Sequence, residues 1–368
     1  MSPELRIPGS TRSVRTQPSG TLRAKVPAAG LAPAVALFEQ AAQEVSLPAT
    51  DQPILIADYG AADGRNSLRP ISRAVAAVRR RTAADHPILV AHTDLPHNDF
   101  SALFATLSDD PDSYLNTDSA SFSSVIGRSF YSQILPSRTV HLGWTSWATQ
   151  WLSRLPTGAG DHASISERGD AVAHAAYARQ AALDWHDFVA FRGRELAPDG
   201  RLVVLTTALD TDGTFGYHAL IAALVESLEE QVANGSIVRQ ELARMVVPTF
   251  ARTEADFRSP FAPRGLLEGV AISHLELFNA EDRYWSRYQS DGNAQLFGSH
   301  WAEFARVALF STLACALDNG PDNKPEDSRA QQFITQLEAS VAARLAAAPQ
   351  PMRIPLACVV LVKRPRSF

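Results

Sequence analysis

Cysteine is scarce: the 368 residues hold two, Cys315 and Cys358, with no metal-like neighbour at short spacing. A disulfide framework and a cysteine-based zinc site are therefore both disfavoured. Long apolar runs are missing too. Stretches such as Val307–Leu317 are interrupted and fall well short of the roughly 20 residues a membrane span needs. Nor is there an excess of basic charge. Lys+Arg 34 against Asp+Glu 39 leaves a formal net charge of −5, so no global positive field recruits nucleic acid. What is present is an ordinary globular composition, 45% hydrophobic and 20% charged. The length suits about two domains, or one large domain with an insertion. The expected class is a soluble, cytoplasmic globular protein with no membrane, nucleic-acid or metal partner.

Residues 1–27 stand apart, with Arg6, Arg12, Arg15, Arg23 and Lys25 against the single acid Glu4. They read either as a mobile tail or as an arm that orders over a ligand. No apolar stretch of the secretory kind follows the basic residues. From Leu31 to Val45 apolar residues recur at helical spacing. Pro53–Asp58 is a short continuous apolar run ending in an acid and a glycine turn, the pattern of a buried parallel strand. A helical pattern through Ile71, Val75 and Val78 leads to a second such strand, Ile88–Asp94. Further strands are expected at Ser124–Gly127, Thr139–Gly143 and Arg201–Thr206, with a helix over Ala171–Leu196 before the last. This alternation argues for a doubly wound sheet with parallel strands. Residues 214–345 then read as mostly helical, and Ile354–Lys363 closes the chain as a strand added next to the sheet edge. A helical insertion between two strands of one sheet fits better than two independent domains.

The loop after the first strand reads Asp58-Tyr-Gly60-Ala-Ala-Asp-Gly64-Arg-Asn66. Its glycines permit a tight turn and close approach of a ligand, and the helix beyond offers free N–H groups. A dinucleotide loop would carry glycine where Asp58 stands, and an acid there repels a pyrophosphate. A carboxylate suits a cation instead, such as the ammonium of an amino acid. The second strand ends in Asp94, placed to accept hydrogen bonds from ribose hydroxyls. A ligand with an amino-acid end and a ribose end is S-adenosylmethionine. The alternative is a strand–turn–helix connection with no ligand.

Three further stretches resemble one family. Asp94-Leu95-Pro-His-Asn98-Asp99-Phe100-x-x-x-Phe104, Ser129-Phe130-Tyr131-x-x-Ile-Leu-Pro136 and His141-x-x-x-x-Ser146-Trp147-x-x-x-Trp151-Leu152-Ser153 are similar to signatures of the SABATH carboxyl methyltransferases. Weaker similarity runs through Pro198–Thr206 and Val247-Pro248-Thr-Phe250, so that the resemblance covers roughly residues 30–362. It implies an α/β fold: a class I methyltransferase, Rossmann-like doubly wound sheet with a helical cap inserted before the C-terminal strands. The donor domain would be 28–212 and 350–368, and the cap 213–349. It implies that Asp58, Gly60 and Asn66 line the methionine end of S-adenosylmethionine. Asp94 would hold the ribose, Leu95 would flank the adenine, and Ser129 and Phe130 would close over it. The acceptor, a small-molecule carboxylic acid, would meet Trp147, Trp151, Gln150, Tyr217 and His218, with Trp151 and Gln150 nearest the chemistry. A homodimer is implied as well.

Read without the family, Trp147 and Trp151 stand at i and i+4 of an expected helix, a spacing that usually marks core aromatics. Gln150 would be a solvated surface residue or a donor to the acceptor. The sequence departs from the family near its N-terminus. There the usual Ser-Tyr-x-x-Asn-Ser-x-x-Gln stretch has no match; its Gln position falls near Pro27, and Gln17 would substitute only with a different path of the tail. Trp147 also replaces a family tyrosine. Methyl transfer to a carboxylate needs alignment and no general base, so the lack of a Ser/His/Asp or paired-carboxylate constellation is expected. N-methylation of a heterocycle and a non-catalytic cofactor-binding scaffold are the alternatives.

Overall fold

The computed structural model describes residues 28–49, 51–156, 171–318 and 328–364. The basic arm of 1–27, with Gln17 and Pro27, lies outside the described residues. In chain order the elements are α1 (Ala28–Glu44), β1 (Ile54–Tyr59), α2 (Arg65–Arg79), β2 (Ile88–Asp94), α3 (Phe100–Asp109), α4 (Tyr114–Thr117), β3 (Ser121–Gly127), β4 (Val140–Ser146), α5 (Ala171–Glu195) and β5 (Leu196–Thr207). There follow α6 (His218–Ala233), α7 (Arg239–Arg244), α8 (Glu254–Arg258), β6 (Val270–Asn279), α9 (Arg283–Asp291), α10 (Ala294–Ala305), α11 (Ser311–Ala314), α12 (Ser328–Ala347) and β7 (Pro355–Lys363).

One seven-stranded sheet has the order β3-β2-β1-β4-β5-β7-β6. The first five strands are parallel, while β7 is antiparallel to both β5 and β6. The doubly wound parallel sheet expected from the alternation is present in β1–β5, and the C-terminal strand β7 joins it antiparallel, beside the edge strand β6. Successive strands are added to one side of β1 (β2, β3) and then to the other (β4, β5), so the switch point of this open α/β sheet, where ligands bind, falls at the C-terminal ends of β1, β2 and β4. The continuous apolar run of β1 follows from its place: all six residues are buried, with layers on both faces. Ile56, Val90, Leu142, Trp144 and Leu205 face one core with α1, α2 and the cap helices. Ala57, Tyr59, Leu202 and Val204 face the other, against Trp185 and Phe188 of α5.

One local expectation fails and another is refined. The described part of 214–345 is mostly helical as expected, and it also contains β6, an edge strand of the same sheet. Its half-buried pattern and its polar residues, His274 and Glu276 among them, hide it. Residues 147–151 form a turn, not a helix: Trp147 is left-handed (φ 49°) and its N–H donates to Leu205 O at 2.8 Å. The pairing of this turn with the chain beyond β5 replaces the helical hydrogen bonds that the tryptophan spacing suggested. Among the described residues no helix is long and apolar enough to cross a membrane.

Candidate active site

The turn after β1 is held by its neighbours in β2 and the following loop. Gly60 and Ala61 both donate N–H to Thr93 O, at 2.9 and 3.0 Å. Gly60 (φ 80°), Ala62 (φ 48°) and Gly64 (φ 82°) are all left-handed. Ala62 pays a steric penalty there that glycine would not. It is clamped from two sides: its N–H donates to Asp94 Oδ2 at 2.7 Å, and its carbonyl accepts from Asn98 Nδ2 at 2.9 Å. Asp94 and Asn98 of one sequence motif thus fix the turn. Gly64 caps α2 without a side-chain bond, and a Cβ there would meet Leu103 Cδ1 at 2.6 Å. Asn66 is exposed in the first turn of α2, beside backbone N–H groups that the cap residue does not bond with a side chain.

Two carboxylates end the strands that flank this turn. Asp94 is 3% exposed and also accepts the Leu95 N–H at Oδ1, 2.7 Å away. Burial pushes its carboxyl up to about 6; the backbone bonds from Ala62 and Leu95 oppose the rise and the nearby Asp58 adds to it. Asp58 is 1% exposed, and its Oδ2 lies 2.8 Å from His92 Nδ1. The far nitrogen of that ring, Nε2, lies 2.9 Å from the Tyr114 hydroxyl. Neither His92 nor Tyr114 was singled out in the sequence. The signal that could have found His92 is its polar ring inside the apolar run of β2, at the register partner of Asp58.

Leu95, half-buried, begins the loop that leaves β2. Gly127, which ends β3, is the register partner of Asp94, and a Cβ on it would stand 3.2 Å from Pro96 Cα. Beyond it, Ser129 Oγ accepts the Tyr131 N–H at 3.3 Å. Phe130 is 5% exposed and packs edge-on against Tyr131 and Phe188, with centroids 4.7 and 5.7 Å away. Phe130 is therefore part of a core layer. A buried ion pair missed in the sequence secures this loop. Arg192 donates to the carbonyls of Phe130 (2.7 Å) and Ser132 (2.9 Å). Glu195 accepts from Arg192, from the N–H groups of Ile134 (2.6 Å) and Leu135 (3.0 Å), and from the Tyr59 hydroxyl (2.7 Å). An arginine and a glutamate three apart near a helix end resemble a solvated pair in sequence; only the packing of α5 shows them buried.

The third group gathers at the ends of β4 and β5. Trp147, Gln150 and Trp151 come together in the turn, which is stitched to the 247–250 stretch. Phe250 N–H donates to Gln150 O at 2.9 Å, Leu152 N–H to Pro248 O at 2.8 Å, and Trp151 bridges Thr249. Gln150 is buried, not solvated: Oε1 accepts from Thr206 Oγ1 at 3.1 Å and Nε2 donates to Trp147 O at 2.8 Å. Tyr131 donates its hydroxyl to the Trp151 carbonyl, tying this turn to the loop beyond β3. Tyr217 is buried against Phe304, 5.9 Å away and nearly parallel, and belongs to the cap cluster. His218 is exposed at the start of α6.

The geometry is that of an open, doubly wound α/β sheet with the glycine turn 60–64 and the acids Asp58 and Asp94 at its topological switch point. A family model for SAM dependent carboxyl methyltransferases matches residues 21–320, and the chain belongs to that family. The chain is similar to a methyltransferase, LUC1, of Fusarium sp, with 29% identity over 300 residues, 77% of each chain. It is also similar to the salicylate carboxymethyltransferase of Clarkia breweri, with 24% identity over 252 residues, 65% of this chain and 67% of that one. Among solved structures, a loganic acid methyltransferase with SAH superposes with a TM-score of 0.69 at 19% identity, covering 95% of this chain and 99% of that one. The methyl donor of the family is S-adenosylmethionine. The residues present fit it, because a glycine turn between two buried acids accommodates a cationic amino-acid end and a ribose. Among the described residues no cluster of His, Cys, Asp or Glu is built to hold a metal ion.

Proposed function

We propose that the protein transfers a methyl group from S-adenosylmethionine to the carboxylate of a small molecule, forming a methyl ester. The observation that carries this reading is the pair Asp58 and Asp94, buried on either side of the left-handed turn 60–64. Two acids at that place disfavour a phosphate-bearing coenzyme and favour a ligand with a positive end and hydroxyls. Asp58, Gly60 and Asn66 would receive the methionine end, Asp94 the ribose, and Leu95, Ser129 and Phe130 the adenine. When bound, the donor supplies an electrophilic methyl carbon on a sulfonium, whose charge is neutralised as the ester forms.

The chain's own residues then have three tasks. A carboxylate acceptor is ionised at neutral pH, so no residue needs to remove a proton. Trp147 and Trp151 would exclude water from the acceptor and align one of its oxygens, with the Trp151 indole N–H as donor. Gln150 holds the turn through Thr206 and Trp147 and retains a second amide hydrogen for the acceptor. Tyr217 and His218 would border the acceptor from the cap, in a division of 28–212 and 350–368 as donor domain and 213–349 as cap. We extend the reading to a homodimer in the cytoplasm with no nucleic-acid or membrane partner, supported by the family resemblance and the net charge of −5; sedimentation would test the dimer.

Incubation with methyl-labelled S-adenosylmethionine and a panel of carboxylic acids tests the activity. Label released as methanol by alkali is expected. Incorporation stable to alkali would overturn the ester and point to N-methylation.

A further inference from the structure

β1 and β2 run side by side with Asp58 and His92 as register partners, and behind them stands Tyr114 of α4. The three side chains form one file: Asp58 Oδ2 to His92 Nδ1 at 2.8 Å, His92 Nε2 to the Tyr114 hydroxyl at 2.9 Å. The Ser123 side chain bonds the same phenol from β3. His92 and Tyr114 are wholly buried. A polar ring in the middle of a sheet is costly unless both its nitrogens are matched, and here both are. An apolar side chain would fill the space between Val90 and Thr93 without that requirement.

The direction of the file follows from its chemistry. An ionised carboxylate only accepts, so Nδ1 carries the proton facing Asp58. Burial pushes the Tyr114 phenol well up, so it keeps its hydrogen and donates to Nε2, which selects the Nδ1–H tautomer. Every donor points toward Asp58. One oxygen of that acid is pinned by a ring that is itself pinned, and among the described residues the other has no hydrogen-bond partner.

We propose that His92, backed by Tyr114, is a positioning residue for the methyl donor: it orients the Asp58 carboxylate toward the donor's ammonium group. The inference deepens the reading of the β1–α2 turn as the donor site and rests on it. Aspartate alone could turn about its own side-chain bonds and lose part of its charge-assisted bond to the ligand; the file removes that freedom.

The test is binding of S-adenosylhomocysteine to the full chain by calorimetry. His92→Leu is expected to weaken binding about tenfold or more. His92→Asn, whose amide N–H reaches the place of Nδ1, is expected to stay within about threefold of the parent. On an Asp58→Asn background, His92→Leu should add nothing. Parental binding by His92→Leu, no rescue by Asn, or independent effects of the two sites would overturn the proposal. Should His92→Leu fail to fold, ring-nitrogen NMR of the unaltered protein decides: a proton on Nδ1 is expected, and one on Nε2 alone overturns the file. Failure of the donor-site reading looks different, because Asp58→Asn and Asp94→Ala would then both leave binding unchanged. Positioning alone fails if those two weaken binding and His92→Leu does not.

Discussion

Acidification should weaken the donor site through Asp94. Its carboxyl is 3% exposed and sits at about 6 in place of the ordinary 3.8. Burial is the main cause, with the backbone bonds from Ala62 and Leu95 opposing it and Asp58 adding to it. The sign for folding is set by that rise. The folded state favours the protonated acid, so this contribution is present below the ordinary value and is lost as pH climbs through about 6. The rise from 3.8 to about 6 corresponds to about 3 kcal/mol, as an order of magnitude, against the ionised form at neutral pH. Ribose hydroxyls donate to the ionised form, so ligand binding pulls in the opposite direction and releases the proton. Affinity for S-adenosylhomocysteine should therefore be level above about pH 6 and fall roughly tenfold per pH unit below it. Calorimetry in two buffers of different ionisation enthalpy should count close to one proton released at pH 5 and none at pH 8. Asp94→Ala should lose about 1.5–3 kcal/mol of binding at pH 8 and show a flat profile. A level affinity from pH 5 to 8 in the unaltered protein, with no proton released, would refute the reasoning.

Other perturbations separate the parts of the site. Trp151→Ala should leave S-adenosylhomocysteine affinity within about twofold and reduce turnover about a hundredfold, the scale of a misaligned acceptor; a matched loss of cofactor affinity would move Trp151 out of the acceptor pocket. Arg192→Met leaves Glu195 buried without its partner and should cost about 3–5 kcal/mol in denaturant unfolding. A change under about 1 kcal/mol would show that the pair does not secure the 130–135 loop. Gly64→Ala places a Cβ 2.6 Å from Leu103 Cδ1 at φ 82°, so it should destabilise the fold by about 1–3 kcal/mol and weaken donor binding. An unchanged melting temperature would mean that the turn relaxes freely.

What could be read in the sequence follows from the range of the forces involved. β1 and β2 are legible because strands buried on both faces need continuous apolar runs, and Ile54–Tyr59 and Ile88–Asp94 supply them. Asp58 and Asp94 are legible as site residues because each is an acid at the C-terminal end of such a run, Asp58 opening a glycine turn and Asp94 opening the Leu95-Pro96 loop. β6 is hard to read because an edge strand buries only part of its surface, and its exposed positions carry the polar residues Ser273, Glu276 and Asn279. The 147–151 turn is not legible because two tryptophans four apart carry the helical spacing, while the bonds that hold the turn run to Leu205 and to Pro248, distant in sequence. His92, Arg192 and Glu195 could not be recognised from spacing, since their partners lie 34, 62 and 136 residues away in Asp58, Phe130 and Tyr59.

The most direct measurement of the central claim is a pair of crystal soaks, one with S-adenosylhomocysteine and one with a nicotinamide dinucleotide. The homocysteine nucleoside should seat in the 58–66 turn, its ribose against Asp94, while the dinucleotide leaves that turn empty. The reverse occupancy would contradict it.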